Sequence, residues 1–210
     1  MLDAVAAARA AVREDSSLLA RPFAIVVPSR SLREHLIHQI VTRIGTVAAV
    51  EVQTLRAVAH GVVRRAGAVA TDGTKMVPVL VRRAAARKGV LANALDRLDD
   101  GYSSAVPAVN DLLDAGFEPA HAEAVTEQIR EAEPGLAGER AIAVVEVAAE
   151  VHGMLASMGR VHRAGLFQRA RELMGVDPDA WPARETWIHG YSDATGSQAD
   201  LLEALIQRSG

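Results

Sequence analysis

Apolar positions in this chain follow two different patterns. Phe23-Ala24-Ile25-Val26-Val27 is a continuous apolar run bracketed by Pro22 and Pro28. A run of that length with no polar alternation predicts a strand buried on both faces, as in a parallel sheet. Residues 2–19 ahead of it predict a helix, with Leu2, Val5, Ala6, Ala10, Val12 and Leu18 as its apolar residues. After it, Ser31 and Glu34 have the spacing of a capping box, and Leu32, Leu36, Ile40 and Ile44 line one helical face up to Gly45. Val47 to Val52 predicts a second strand, and Thr54 caps a third helix, Leu55 to Ala66, closed by Gly67. Strand–helix–strand–helix with short loops is the pattern of an α/β sheet with crossover helices.

From residue 76 to 176 the strand pattern gives way to helical periodicity. Segments near 77–88, 90–98, 104–115, 119–132, 138–158 and 163–174 predict helices, punctuated by Gly89, Gly101, Pro119, Pro134-Gly135 and Gly159. Pro178 and Pro182 then lead into Glu185-Thr186-Trp187-Ile188, a third strand. A second capping-box spacing, Thr195 with Gln198, opens a last helix. The expected organisation is a first α/β part over 1–75, a helical insertion over 76–180 and a return to the α/β part over 181–210. Three strands leave poorly protected edges, so the chain is expected to be the N-terminal part of something longer.

Composition narrows the class. Half of the 210 residues are apolar but only seven are aromatic, so the core must be built from Ala, Val, Leu and Ile. The absence of cysteine excludes disulfides and thiolate metal sites. No apolar run approaches the ~20 residues of a membrane span, and a cytoplasmic protein is the expectation. The net charge of −3 conceals an asymmetry. Residues 1–95 carry 14 Lys+Arg against 6 Asp+Glu, and the remainder 9 against 20. A basic first half suits a polyanion, and an acidic second half suits solvent or a basic partner. Two differently solvated surfaces on one fold explain the same counts.

Three motifs, in order, resemble the first RecA-like lobe of UvrD-like superfamily 1 helicases. Ile25-Val26-Val27-Pro28-Ser29-Arg30-Ser31-Leu32-Arg33 is similar to motif Ia, and Val52-Gln53-Thr54-Leu55-Arg56-Ala57 to the strand end that follows it. Trp187-Ile188-His189-Gly190-Tyr191-Ser192-Asp193 resembles the Walker B segment, where the family has Asp-Glu-x-Gln-Asp. The resemblance is closest to AddB-type subunits of bacterial helicase–nucleases and their RecB-like relatives, which begin with an inactivated helicase module. It implies a RecA-like, P-loop-type lobe with a short parallel sheet, interrupted by a large all-helical insertion. It also implies that Ser29, Arg30, Arg33, Thr54 and Arg56 face single-stranded or end-processed DNA, and that a partner helicase–nuclease subunit supplies the motor. A nuclease domain would lie further downstream in such a parent protein.

The departures from that family carry the functional expectation. His189-Gly190 stands where an acidic pair would hold magnesium and activate water, and Asp193 follows it in the degenerate motif. No Gly-x-x-x-x-Gly-Lys-Ser/Thr sequence precedes the first strand, and Gly73-Thr74-Lys75 lacks the preceding glycine. The expectation is therefore a module with no catalytic residue, cofactor or metal, which binds or scaffolds DNA during double-strand-break repair. Two alternatives stand beside it: a protein–protein interaction module without DNA binding, and an α/β enzyme with an unrecognised site. His35 and His38 have metal-ligand spacing but no evident third ligand, and Asp96, Asp99 and Asp100 lack the spacing of a calcium loop. In the absence of DNA contact, Ser29 and Thr54 are simply helix caps and the arginines are solvated.

Overall fold

The structure, a computed structural model, describes residues 1–208. It is mostly helical with one short three-stranded parallel sheet, and it divides into two compact units. The first comprises Met1–Val69 and the chain from Phe167 onward; the second comprises Ala70–Leu166.

The first unit is built on β1 (Phe23–Val27), whose five residues are all buried. β1 is the middle strand, paired in parallel with β2 (Val50–Thr54) on one side and β5 (Glu185–Ile188) on the other. A central position explains the unbroken apolar run, because both faces and both edges of β1 are covered. On one face Ile25 and Val27 pack with Val52, with Val5 of α1 (Leu2–Glu14), and with Leu36 and Ile40 of α2 (Arg30–Ile44). α3 (Leu55–Arg65) also packs on the sheet and buries Val58, Ala59, Val62 and Val63. α10 (Gly196–Arg208) packs against β5.

Three local expectations are corrected. The second strand begins at Val50 rather than Val47, because Ala49 takes a left-handed conformation (φ 58°) that breaks the extended chain. The first helix stops at Glu14; the Asp15 carboxylate then accepts from the Ser17 N–H and starts a 3-10 turn over Ser16–Ala20. The cap of α2 is Ser29, not Ser31: its hydroxyl accepts from the Leu32 N–H at 3.2 Å, and Glu34 pairs with Arg30 instead.

The second unit is a helical cluster around α8 (Leu136–Ser157). Val145, Ala148, Val151 and Leu155 of α8 are buried among apolar residues of α4 (Val77–Ala85), α5 (Gly89–Leu95), α6 (Ala105–Asp114) and α7 (Ala122–Ala132). One feature departs from the all-helical expectation: β3 (Thr71–Asp72) pairs in parallel with β4 (Arg160–Val161). α9 (Arg163–Val176) follows β4 directly. Near that junction, Asp114 at the end of α6 is buried and receives a forked pair of hydrogen bonds from Arg163. His162 is buried beside it, its Nδ1 3.7 Å from Asp114 and accepting from the Ala164 N–H at 3.3 Å. That bond places the ring proton on Nε2, which is buried without a partner. Burial lowers the His162 pKa below its ordinary 6.5, while the Asp114 carboxylate opposes the shift.

No helix among the described residues is long and apolar enough to cross a membrane.

Candidate nucleic-acid interface at the strand ends

Parallel pairing brings the carboxyl ends of all three strands of the sheet to one edge. Val27 lies opposite Thr54, and Val26 opposite Ile188. The segments that leave them, Pro28-Ser29-Arg30, Leu55-Arg56 and His189-Gly190-Tyr191, are therefore neighbours. This is the place where open parallel sheets present their loops to ligands. Sequence separation of more than 150 residues between Ser29 and His189 is bridged by strand register alone.

Two helices start at this edge, and each is capped by a hydroxyl. Ser29 caps α2, and the Thr54 hydroxyl caps α3 by accepting from the Ala57 N–H at 3.3 Å. The first-turn N–H groups that caps leave over give each helix a partial positive end. Ser29→Ala and Thr54→Ala are each expected to lower stability by about 1 kcal/mol, read as a shift in the urea midpoint at unchanged slope. A change in neither variant would show that the hydroxyls do not serve as caps.

Charge at the edge comes from both signs. Arg30 is largely exposed and holds Glu34 at 2.7 Å, one helical turn away. Arg56 is exposed in the first turn of α3. Arg33 takes a different course: half-buried, it donates from Nε to the Val52 carbonyl at 2.8 Å, on the flank of β2. The structure thus brings Ser29, Arg30, Thr54 and Arg56 to the strand ends and turns the Arg33 guanidinium toward the sheet's side.

The segment that follows β5 supplies the third turn. The His189 N–H donates to the Val26 carbonyl at 2.9 Å, adding one rung to the β1–β5 ladder, and its side chain is exposed. Gly190 has a φ of 80°, and a Cβ there would meet Leu32 Cδ2 at 2.4 Å. Asp193 is exposed, with the Ser192 hydroxyl 3.4 Å from its carboxylate. Tyr191 was not singled out from the sequence. Its ring is half-buried, and its hydroxyl is buried with no hydrogen bond of ordinary geometry. Burial pushes the phenol up to about 12, and the neighbouring Leu55 N–H offsets this in part. Tyr191 is thus a neutral phenol lying against the start of α3. The one sequence signal for it is its place directly after the glycine of the turn.

Elsewhere, His35 bonds with Gln39 at 2.9 Å and His38 is exposed on the same helix. No group of three His, Asp or Glu residues that could hold a metal ion occurs among the described residues. In the second unit Asp96 accepts from the Tyr102 hydroxyl, and Asp100 is left-handed at φ 53°. The strand-end arrangement offers hydroxyls, helix-terminal N–H groups and guanidinium groups, which together suit phosphate oxygens better than they suit bond-breaking chemistry. No protein-family model matches the chain, and no curated protein matches it.

Proposed function

We propose that this chain is a non-catalytic, RecA-like helicase module that binds the phosphate backbone of single-stranded DNA at its strand ends. The observation that carries the reading is the side-by-side start of α2 and α3 at one sheet edge, with Ser29, Arg30, Thr54 and Arg56 in their first turns and caps. Helix-terminal N–H groups and guanidinium groups recognise phosphates without reading base sequence. His189 and Gly190 occupy the place of the acidic pair in the resembled helicases, so ATP turnover would belong to a partner helicase–nuclease subunit. The module's work is then binding and scaffolding in double-strand-break end processing, in the cytoplasm, as an AddB-type subunit does.

The test is fluorescence anisotropy with labelled single-stranded and duplex DNA at two salt concentrations, for the wild type and Arg30→Ala/Arg56→Ala. Arg33 is left in place because its bond to Val52 gives it a structural role. Binding to the single strand is expected to weaken about tenfold in the variant, with the salt slope reduced by roughly 0.7 per lost phosphate contact. Absence of salt-sensitive binding by the folded wild type, or binding unchanged in the variant, would defeat the proposal. A charge reversal among Asp111, Glu118, Glu123 and Glu127 that blocks complex assembly would then favour an interaction module.

A further inference from the structure

The sheet has a second feature, unconnected with the strand-end reading. β2 is an edge strand among the described residues, and its outer side opens into a groove of about 500 Å³ between α2 and α3. Register settles which backbone groups face that groove. The Phe23 N–H donates to the Ala49 carbonyl, and Phe23 lies opposite Val50, so residues 49, 51 and 53 bond inward to β1. In a strand the N–H and C=O of one residue point the same way and alternate along the chain. Val50 and Val52 therefore direct their backbone groups outward, and Arg33 reaches across to the Val52 carbonyl from that side.

Three properties of the groove agree on an occupant. Its outward N–H and C=O groups have strand spacing and await a ladder partner. Its walls include Ile37, Ile40, Val41 and Val47, with Val41 54% exposed, which suits alternate apolar side chains of an added strand. Its charged lining is three arginines, Arg33, Arg64 and Arg65, against the single acid Glu51. Glu51 is moreover bonded to the Gln53 amide. The groove lining holds no aromatic ring on which a base would stack, which disfavours a nucleic-acid strand. We infer that the free edge of β2 docks an extended acidic segment of a partner protein by strand addition, with Arg33, Arg64 and Arg65 reading its carboxylates. A carbonyl has two lone pairs, so Arg33 can hold the Val52 oxygen while an added strand donates to it.

The test uses fluorescein-labelled octapeptides: alternating Glu and Val, alternating Lys and Val, and the acidic peptide with a central proline. The acidic peptide is expected to bind at least tenfold tighter than the basic one and to slow hydrogen exchange at the Val50 and Val52 amides. The proline peptide has equal charge but lacks a ladder donor, and is expected to lose most of the binding. Arg64→Glu/Arg65→Glu is expected to reverse the charge preference, and Arg64→Gln/Arg65→Gln to abolish it if the first variant fails to fold. Equal binding of the acidic and proline peptides, or unchanged exchange at Val50 and Val52, would overturn strand addition. Protection of those two amides by an oligothymidine that displaces the acidic peptide would assign the groove to nucleic acid and overturn the proposal as well.

Discussion

Gly190→Glu is expected to destabilise the sheet-bearing unit by about 2–4 kcal/mol, whereas His189→Asp beside it is expected to stay within about 0.5 kcal/mol. The asymmetry follows from backbone geometry. His189 is exposed, and its structural contribution is an N–H bond to Val26 that any residue but proline retains. Gly190 turns the chain at a φ of 80°, where a Cβ costs about 1–2 kcal/mol before any contact is counted. The added Cβ would also drive into Leu32 Cδ2 at 2.4 Å. Leu32 packs at the margin of the apolar core shared by α2 and β1, so its movement disturbs that core. Urea unfolding of the two single variants checks the difference; equal stability would mean that the turn relaxes freely. Under the proposed helicase reading, this turn is built around glycine. An acidic pair cannot be written back into it without rebuilding the strand end, so a double variant tests folding before it tests ATP chemistry.

How much could be read beforehand depended on the range of the interactions concerned. β1 was legible because two prolines bracket five apolar residues, and burial on both sides leaves no alternation to interpret. β2 starts three residues later than the apolar run from Val47 suggests, because it is an edge strand. Its half-buried Glu51 and Gln53 give it the alternation of a one-sided strand, and the apolar Val47-Ala48-Ala49 ahead of it ends in a left-handed residue. Thr54 was legible as a cap because a cap is decided within three residues. Ser29 and Ser31 are both plausible on that scale, and the Arg30–Glu34 pair withdrew the acid that a box at Ser31 requires. The two-residue strands β3 and β4 have no period to detect. Arg33 illustrates the limit most clearly: it lies four residues from the α2 cap, yet its Nε donates to a carbonyl 19 residues away, a contact no local pattern reveals.

The buried cluster of the second unit had no sequence signal, yet it carries the other large effect. Asp114→Ala is expected to cost about 2–3 kcal/mol, less than a fully buried pair because the Arg163 side chain is 41% exposed and can rehydrate. The loss is best followed by hydrogen exchange along α8, since the two compact units need not unfold together. Acid should produce a related loss in the wild type through His162. Burial holds its pKa below the ordinary 6.5 in the folded chain. Above that pH both states hold the neutral ring and the full stability is present. As pH falls below 6.5 the unfolded chain takes up a proton that the folded chain refuses, and stability is lost down through the folded pKa. Asp114 and Asp72 favour the charged ring, while Arg163 and His152 oppose it. Removing Asp114 should therefore lower the folded value further and extend the acid-sensitive window, so that Asp114→Ala loses more between pH 7 and pH 5 than the wild type does. His162→Leu also disposes of the unpartnered Nε2 but leaves the buried Ala164 N–H without its acceptor, so it is expected to cost about 1–3 kcal/mol at pH 7 while flattening that part of the profile. A wild-type profile that is flat from pH 7 to pH 5, or unchanged by His162→Leu, would show that this imidazole is not the group that senses acid.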